Sequence, residues 1–324
     1  MHMSDGLIST PVAAVAAVAA ATLIAISGAK VKQSTRSDLV PLTAVLGAFI
    51  FAAQMVNFSI PGTGSSGHII GGILLSAFLG PWAAFLALSS VLIIQCLIFA
   101  DGGLLALGCN IINMAAMSCL VAYPLVFCPI IRKKASVGRL LCASILSCTV
   151  ALEAGAIMVV AETKLSGVTA LPIGSFLLLM TAIHLAIGIG EGLATGAVLA
   201  FVRRTRPALL SHKESMTRTS KGAIIAIAIA AVAIGGGLSF AASSDPDGLE
   251  WSVEKTAGTD KLPTTGTVAA TAQKLQNSTA AMPDYNHTLS GIIGAAMSML
   301  ALWGICSLLA HKRAVITKTH QNGK

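Results

Sequence analysis

Apolar runs of roughly 20 residues recur along the chain, separated by shorter polar or basic stretches. Each run is long enough to cross the hydrocarbon layer of a bilayer as a helix. Lipid offers the backbone no hydrogen-bond partners, so these runs must be helices and not an open sheet. Nine segments are predicted, at about 8–29, 39–58, 67–80, 82–100, 103–128, 138–161, 172–202, 221–242 and 288–310. The third is short and follows a Gly-rich stretch, which also fits a half-helix entered from a loop. Ala, Gly, Ser and Thr crowd the runs, as close helix packing in lipid requires. The expected fold class is an all-α membrane protein. It has a bundle of about seven transmembrane helices, then a two-helix C-terminal extension.

Composition sharpens this. Of 324 residues, 55% are hydrophobic and only 10% charged, with a mean hydropathy of +0.83. A soluble domain carries about 25% charged residues. The net charge of +8 does not point to nucleic acid, because the basic residues gather at segment ends, where they act as topology signals. The seven cysteines lie in or beside apolar runs with no CxxC pair. They read as small core hydrophobes, not as a disulfide frame or zinc site.

Lys30, Lys32 and Arg36 follow the first segment, and Arg132, Lys133, Lys134 and Arg139 the fifth. Arg203, Arg204, Arg206, Lys213, Arg218 and Lys221 follow the seventh; Lys312, Arg313 and Lys318 follow the ninth. All these connections follow odd-numbered segments, so a cytoplasmic assignment fits every one. The N-terminus is then outside and the C-terminus inside. Two units are expected: a bundle over 1–206 and a helical pair over 221–324, joined by a cytoplasmic linker at 207–220. The pair carries an external loop, 243–287, with Asp245, Asp247, Glu250, Glu254 and Asp260 in its first half. That loop is too polar and too short to bury a core alone, and should lean on the bundle.

Candidate chemistry sits at the external end. The chain starts Met1-His2-Met3-Ser4-Asp5-Gly6, with neither the basic n-region nor the cleavage site of a signal peptide. With the methionine retained, as a large second residue favours, the Met1 amine, the His2 backbone nitrogen and the His2 ring form two fused chelate rings. Three planar nitrogens plus a fourth favour Ni(II) or Cu(II) over zinc or hard cations. Between the second and third segments runs Ile60-Pro61-Gly62-Thr63-Gly64-Ser65-Ser66-Gly67-His68. Gly62 to Gly67 has the spacing of a phosphate loop, but His68 stands where that motif needs Lys, so an ATP site is rejected. A backbone folded into the bundle mouth would instead present His68 as a fourth nitrogen.

These residues resemble the CbiM/NikM family, the substrate-binding components of energy-coupling-factor transporters for cobalt and nickel. The likeness lies in Met-His-x-x-Asp-Gly, in Gly-Thr-Gly-Ser-Ser-Gly-His with Gly71-Gly72, and in Gly80-Pro81-Trp82. Asp101-Gly102-Gly103-Leu104 and Ala106-Leu107-Gly108-Cys109-Asn110 extend it. Cys109 departs from the pattern, standing where a small residue such as Ala is expected. Residues 221–310, with Asp245-Pro246-Asp247-Gly248-Leu249-Glu250, resemble the small two-helix accessory component, here fused. The resemblance implies a prokaryotic plasma-membrane importer component with nickel or cobalt as cargo. It implies Met1, His2 and His68 as metal ligands, supported by Ser66 and Asn110 orienting the loop and His68. It also implies, as partners, a membrane coupling protein and cytoplasmic ATPases.

Other polar residues are read more plainly. His184 and Glu191 share a face of the seventh segment, and a coupling or structural role is expected over direct ligation; Glu153 is left open. Asp101 sits at the outer boundary, as a cation attractor or a loop cap. Met55, Met114 and Met117 fill core. Two rival functions find little purchase. No HExxH supports an intramembrane metalloenzyme, and no inverted repeat supports a stand-alone secondary transporter.

Overall fold

The computed structural model describes residues 1–33, 39–131, 136–210, 221–259, 262–264, 266–285 and 289–321. Arg36, Arg132, Lys133, Lys134, Lys213, Arg218 and Asp260 lie outside them, as do most of the linker and the side chains of Lys312, Arg313 and Lys318. The helices are α1 (Thr10–Gln33), α2 (Leu39–Gln54), α3 (Gly72–Leu79), α4 (Pro81–Phe99) and α5 (Leu107–Ile131). They continue with α6 (Val137–Ser166), α7 (Ile173–Thr205), α8 (Lys221–Gly236), α9 (Gly248–Ala257), α10 (Thr267–Thr279) and α11 (Ser290–Gln321). Among the described residues, seven helices are long and apolar enough to cross a membrane, and the shorter apolar helix Val40–Gln54 stands beside them. The protein is an all-α membrane protein.

The segment expected at 67–80 is not a full span. Strands β1 (Phe58–Ile60) and β2 (Ser65–Gly67) form an antiparallel hairpin that pairs Phe58 with Gly67. Only after Gly71, at φ 80°, does the eight-residue α3 begin. At 1.5 Å per residue α3 covers about 12 Å, well short of the roughly 30 Å hydrocarbon layer. The Gly62–Gly67 stretch is thus a hairpin turn, not a strand-to-helix phosphate loop.

The centre of the bundle is α4, whose Phe85, Leu88, Val91 and Leu92 are fully buried. Around it pack α1, α2, α3, α5, α10 and α11. The tightest pair is α6 against α7. A Cβ on Gly188 would come within 2.7 Å of the Thr149 Cα, and one on Gly192 within 2.3 Å of the Ile145 Cα. Small residues four apart let the two backbones touch, which is how helices associate where lipid supplies no hydrophobic drive. The middle of α5, Ile111–Phe127, is wound as a π-helix around Pro124; Pro124 cannot donate an interior hydrogen bond.

The extension lies against the bundle. Helices α8 and α11 pack on α2 and on each other, and α9 packs on α7 and β2. The polar connection is no free loop: it folds into α9 and α10. Main-chain bonds tie it down, from Ser66 N to Pro246 O (2.8 Å), from Ser243 N to Asn57 O (2.8 Å) and from Met282 N to Ile98 O (3.0 Å). Gln276 adds side-chain bonds to the carbonyls of Cys96 and Gly102.

Candidate metal centre

The N-terminal residues run into the bundle and not along its surface. Met3 is fully buried and gripped at both main-chain groups by Asn110. Its N–H donates to Asn110 Oδ1 (2.7 Å), and its carbonyl accepts from Asn110 Nδ2 (3.2 Å) and from Gly103 N (2.8 Å). Asp5 opens a 3-10 turn and accepts from Ala106 N (3.0 Å). A Cβ at Gly103 would meet the Asp5 carboxylate at 1.8 Å, so glycine there makes room for the turn.

His2 and His68 line a cavity of about 690 Å³, together with Asp247, which binds the Met1 amine. The His2 and His68 rings stack with centroids 5.5 Å apart and planes 24° from parallel. The His68 Nδ1 lies 3.1 Å from the Ile69 carbonyl. Donating there fixes the tautomer and leaves Nε2 with its lone pair, the form that binds metal. Burial pushes the His68 imidazole down to about 4, helped by the nearby positive amine and His2. Burial also lowers His2, against the opposing pull of Asp101.

Charged and amide groups surround this trio: Asp101, Asp247 and Glu250, which the sequence named without placing them here, and Gln54 and Gln95, which it did not single out. The Met1 ammonium donates to Asp247 Oδ2 at 2.5 Å. Burial would raise Asp247, but the ammonium charge and its hydrogen bond hold the carboxyl well below the usual carboxylate range. Glu250 is pushed up to about 6 by burial and by Asp247 beside it. His2 Nδ1 lies 3.2 Å from Asp101 Oδ1, and Asp101 Oδ2 accepts from the Tyr285 hydroxyl at 2.6 Å. His2 Nε2 lies 3.3 Å from Gln95 Oε1. Gln95 donates to Gln54 (2.8 Å), and Gln54 to the Ile70 carbonyl (2.8 Å), so one amide chain joins His2 to the His68 turn. Gln54 and Gln95 stand as amides within otherwise apolar runs, which was the sequence signal for them.

The two residues expected to orient the loop and His68, Ser66 and Asn110, bond to other groups. Ser66 Oγ donates to the Asp245 carbonyl (2.7 Å), tying the hairpin to the extension. Asn110 clamps Met3 and so places the N-terminal residues. Among the described residues no three His, Cys, Asp or Glu side chains gather as a metal site. A chelate of the expected kind would draw on main-chain nitrogen, which a side-chain cluster does not reveal. The donors available, one terminal amine, one amide and two imidazoles, are of the borderline type that late divalent ions take.

Comparison with known proteins gives a family match for each of the two parts. Residues 2–209 match the family CbiM, described as the cobalt uptake substrate-specific transmembrane region, and residues 221–311 match the PDGLE domain. A relative in Archaeoglobus fulgidus, carrying a NikMN nickel-transport name, is 33% identical over 70% of this chain and 74% of its own length. The fused nickel transport protein NikMN of Rhodobacter capsulatus is 30% identical over 66% of this chain and 65% of its own. The cobalt transport protein CbiM of Sorangium cellulosum is 26% identical over 69% of this chain and all of its own. A transition metal transporter solved by crystallography superposes with a TM-score of 0.56 at 31% identity, covering 63% of this chain and 93% of that one. Family and relatives are metal transport proteins and not enzymes. This multi-pass membrane chain therefore belongs to the CbiM family of metal transport proteins, with a PDGLE domain fused behind its substrate-specific region.

Proposed function

We propose that the protein is the ion-capturing component of an energy-coupling-factor importer of Ni²⁺, working with a membrane coupling protein and cytoplasmic ATPases. The observation that carries the reading is the stacking of the His2 and His68 rings at one cavity, whose lining includes Asp247, the partner of the Met1 amine. The ligands are the Met1 amine, the His2 main-chain and ring nitrogens, and His68 Nε2. Asn110 places the N-terminal residues, and Ser66 fixes the hairpin. Asp247 holds the amine and Asp101 holds the His2 ring. A bound cation would take both nitrogens from these carboxylates. A planar set of four nitrogens suits Ni²⁺, and fused relatives carry nickel names. Co²⁺ is the second reading, favoured by the family's description as a cobalt uptake region. The unit of residues 1–206 does the binding, and the unit of 221–324 covers its outer mouth.

The test is elemental analysis of the purified protein after nickel loading, with an intact and an extended N-terminus. About one nickel per chain is expected for the parent. Metal should fall to background in the extended form and in His2→Ala. Stoichiometric, tight nickel in either variant would exclude the terminal chelate. Energy coupling is tested by uptake in cells whose partner ATPase has lost its phosphate-loop lysine; undiminished uptake would leave a stand-alone carrier.

A further inference from the structure

Glu191 lies in the middle of α7, 2% exposed. A carboxylate inside a membrane span is costly and is retained only with partners. No salt bridge reaches it among the described residues. Besides the Cys148 thiol on α6, its partners are two main-chain amides: Oε2 accepts from Ile70 N and Oε1 from Gly71 N, each at 2.9 Å. Those amides belong to the N-cap residue of α3, Gly71, and to the residue before it. Glu191 therefore ties down the backbone leading into α3 from another helix.

The amides are also the second and third residues beyond His68. Three further contacts pin the same five-residue stretch. A Cβ at Gly67 would strike Ile187 Cγ1 at 2.5 Å, so α7 lies directly beneath the residue before His68. A Cβ at Gly71 would meet Ile50 Cδ1 at 2.4 Å. Gln54 donates to the Ile70 carbonyl. Ile187 and Glu191 are one turn apart on α7 and bracket His68 on both sides. The N-terminal nitrogens are held by different elements: Met1 by Asp247, His2 by Gln95 on α4 and by Asp101, Met3 by Asn110 on α5. The N-terminal nitrogens thus rest on one group of supports and the His68 turn on α7 and α2, the two joined through the Gln54–Gln95 bond.

We propose that Glu191 is the positioning residue of His68, its two hydrogen bonds to Ile70 and Gly71 fixing the turn so that Nε2 faces the N-terminal chelate. This rests on His68 being a ligand, as proposed above. Glu191 touches no metal. It acts by setting where the fourth nitrogen stands, and it makes α7 the helix whose displacement would withdraw that nitrogen.

The experiment is a double-mutant cycle on the full-length purified protein, read by Ni²⁺ affinity and by the visible absorption of the bound nickel. His68→Ala should weaken binding and shift the band as one nitrogen donor is lost. Glu191→Ala should do the same, with a 10–100-fold loss typical of removing a group that orients a ligand. In the double variant the loss should match His68→Ala alone, because two residues acting through one ligand do not add. Glu191→Gln, which keeps one acceptor and guards against misfolding, should fall between parent and Glu191→Ala. Parental affinity and spectrum in both Glu191 variants would overturn the proposal, as would losses that multiply in the double variant. If His68→Ala alone keeps parental affinity and band, the ligand assignment itself fails, and the role of Glu191 falls with it.

Discussion

His68 and the His2 amide differ in what acid does to them, and this separates their roles. A ring must be neutral to bind metal. With burial holding His68 down to about 4, it stays neutral from pH 8 to pH 5. The His2 amide, by contrast, gives up a proton to ligate. Nickel affinity should therefore weaken as pH falls from 8 to 5, about tenfold per unit for each proton displaced. His68→Ala should bind more weakly but with the same slope. Nickel competition titrations across that range check both points: a flat profile in the parent removes the amide from the ligand set, and a shallower slope in His68→Ala shows that His68 titrates there after all. Asp247 works at the same scale, with Oδ2 on the ammonium while Oδ1 accepts from Leu249 N and Glu250 N. Its carboxyl is held low in the folded state, so its contribution is full above the unfolded value of about 3.9 and drains as pH falls below it. Asp247→Asn keeps the cap and loses the charge, whereas Asp247→Ala loses both. Thermal unfolding of the metal-free protein at pH 7 should rank parent above Asn above Ala, the last step costing about 1 kcal/mol. Equal midpoints in all three would show that neither oxygen stabilises the fold.

At the scale of elements, the apolar runs declared the long helices because length and hydropathy are local properties. Their ends and breaks were less visible. The third segment fails as a span because Gly67, Gly71 and a buried imidazole interrupt it, and the tie that stabilises the break, Glu191, is more than a hundred residues downstream. His68 could be picked out as a nitrogen in a glycine-rich turn. Its amide chain was marked only by Gln54 and Gln95 as isolated amides in apolar runs; their pairing was not legible, since each has its partner on another helix. Helices α9 and α10 were read as loop because their weakly apolar sequences find burial only against the bundle. The close approach of α6 and α7 gives a prediction at this scale. Gly192→Val would drive side-chain atoms into the Ile145 backbone, and α6 and α7 cannot separate without moving Glu191 and the His68 turn. Both the unfolding midpoint and the nickel affinity should drop, while Gly174→Val, at a glycine with nothing near its Cβ, should change neither. Unchanged nickel binding in Gly192→Val would uncouple the helix pair from the site.

For the whole molecule, charge and site fall at opposite ends. Asp101, Asp245, Asp247 and Glu250 cluster where the N-terminal residues, the hairpin and the extension meet. Helix α1 leaves that end and runs 24 residues to Lys30 and Lys32. Helix α7 leaves the His68 turn for Arg203 and Arg204, and α8 starts from Lys221. Basic ends stay in the cytoplasm, and a site that gathers cations from dilute medium belongs on the other side, with carboxylates at its mouth to raise the local cation concentration. The expected orientation has the metal site and α9 outside and Arg203–Arg206 inside. Reporter fusions decide it: alkaline phosphatase, active only outside, should work when joined after Ala257 and fail when joined after Arg206, with a cytoplasm-dependent fluorescent protein giving the reverse. Phosphatase activity after Arg206 would put the basic ends outside and the carboxylate-ringed cavity toward the cytoplasm, where capture from the medium is impossible.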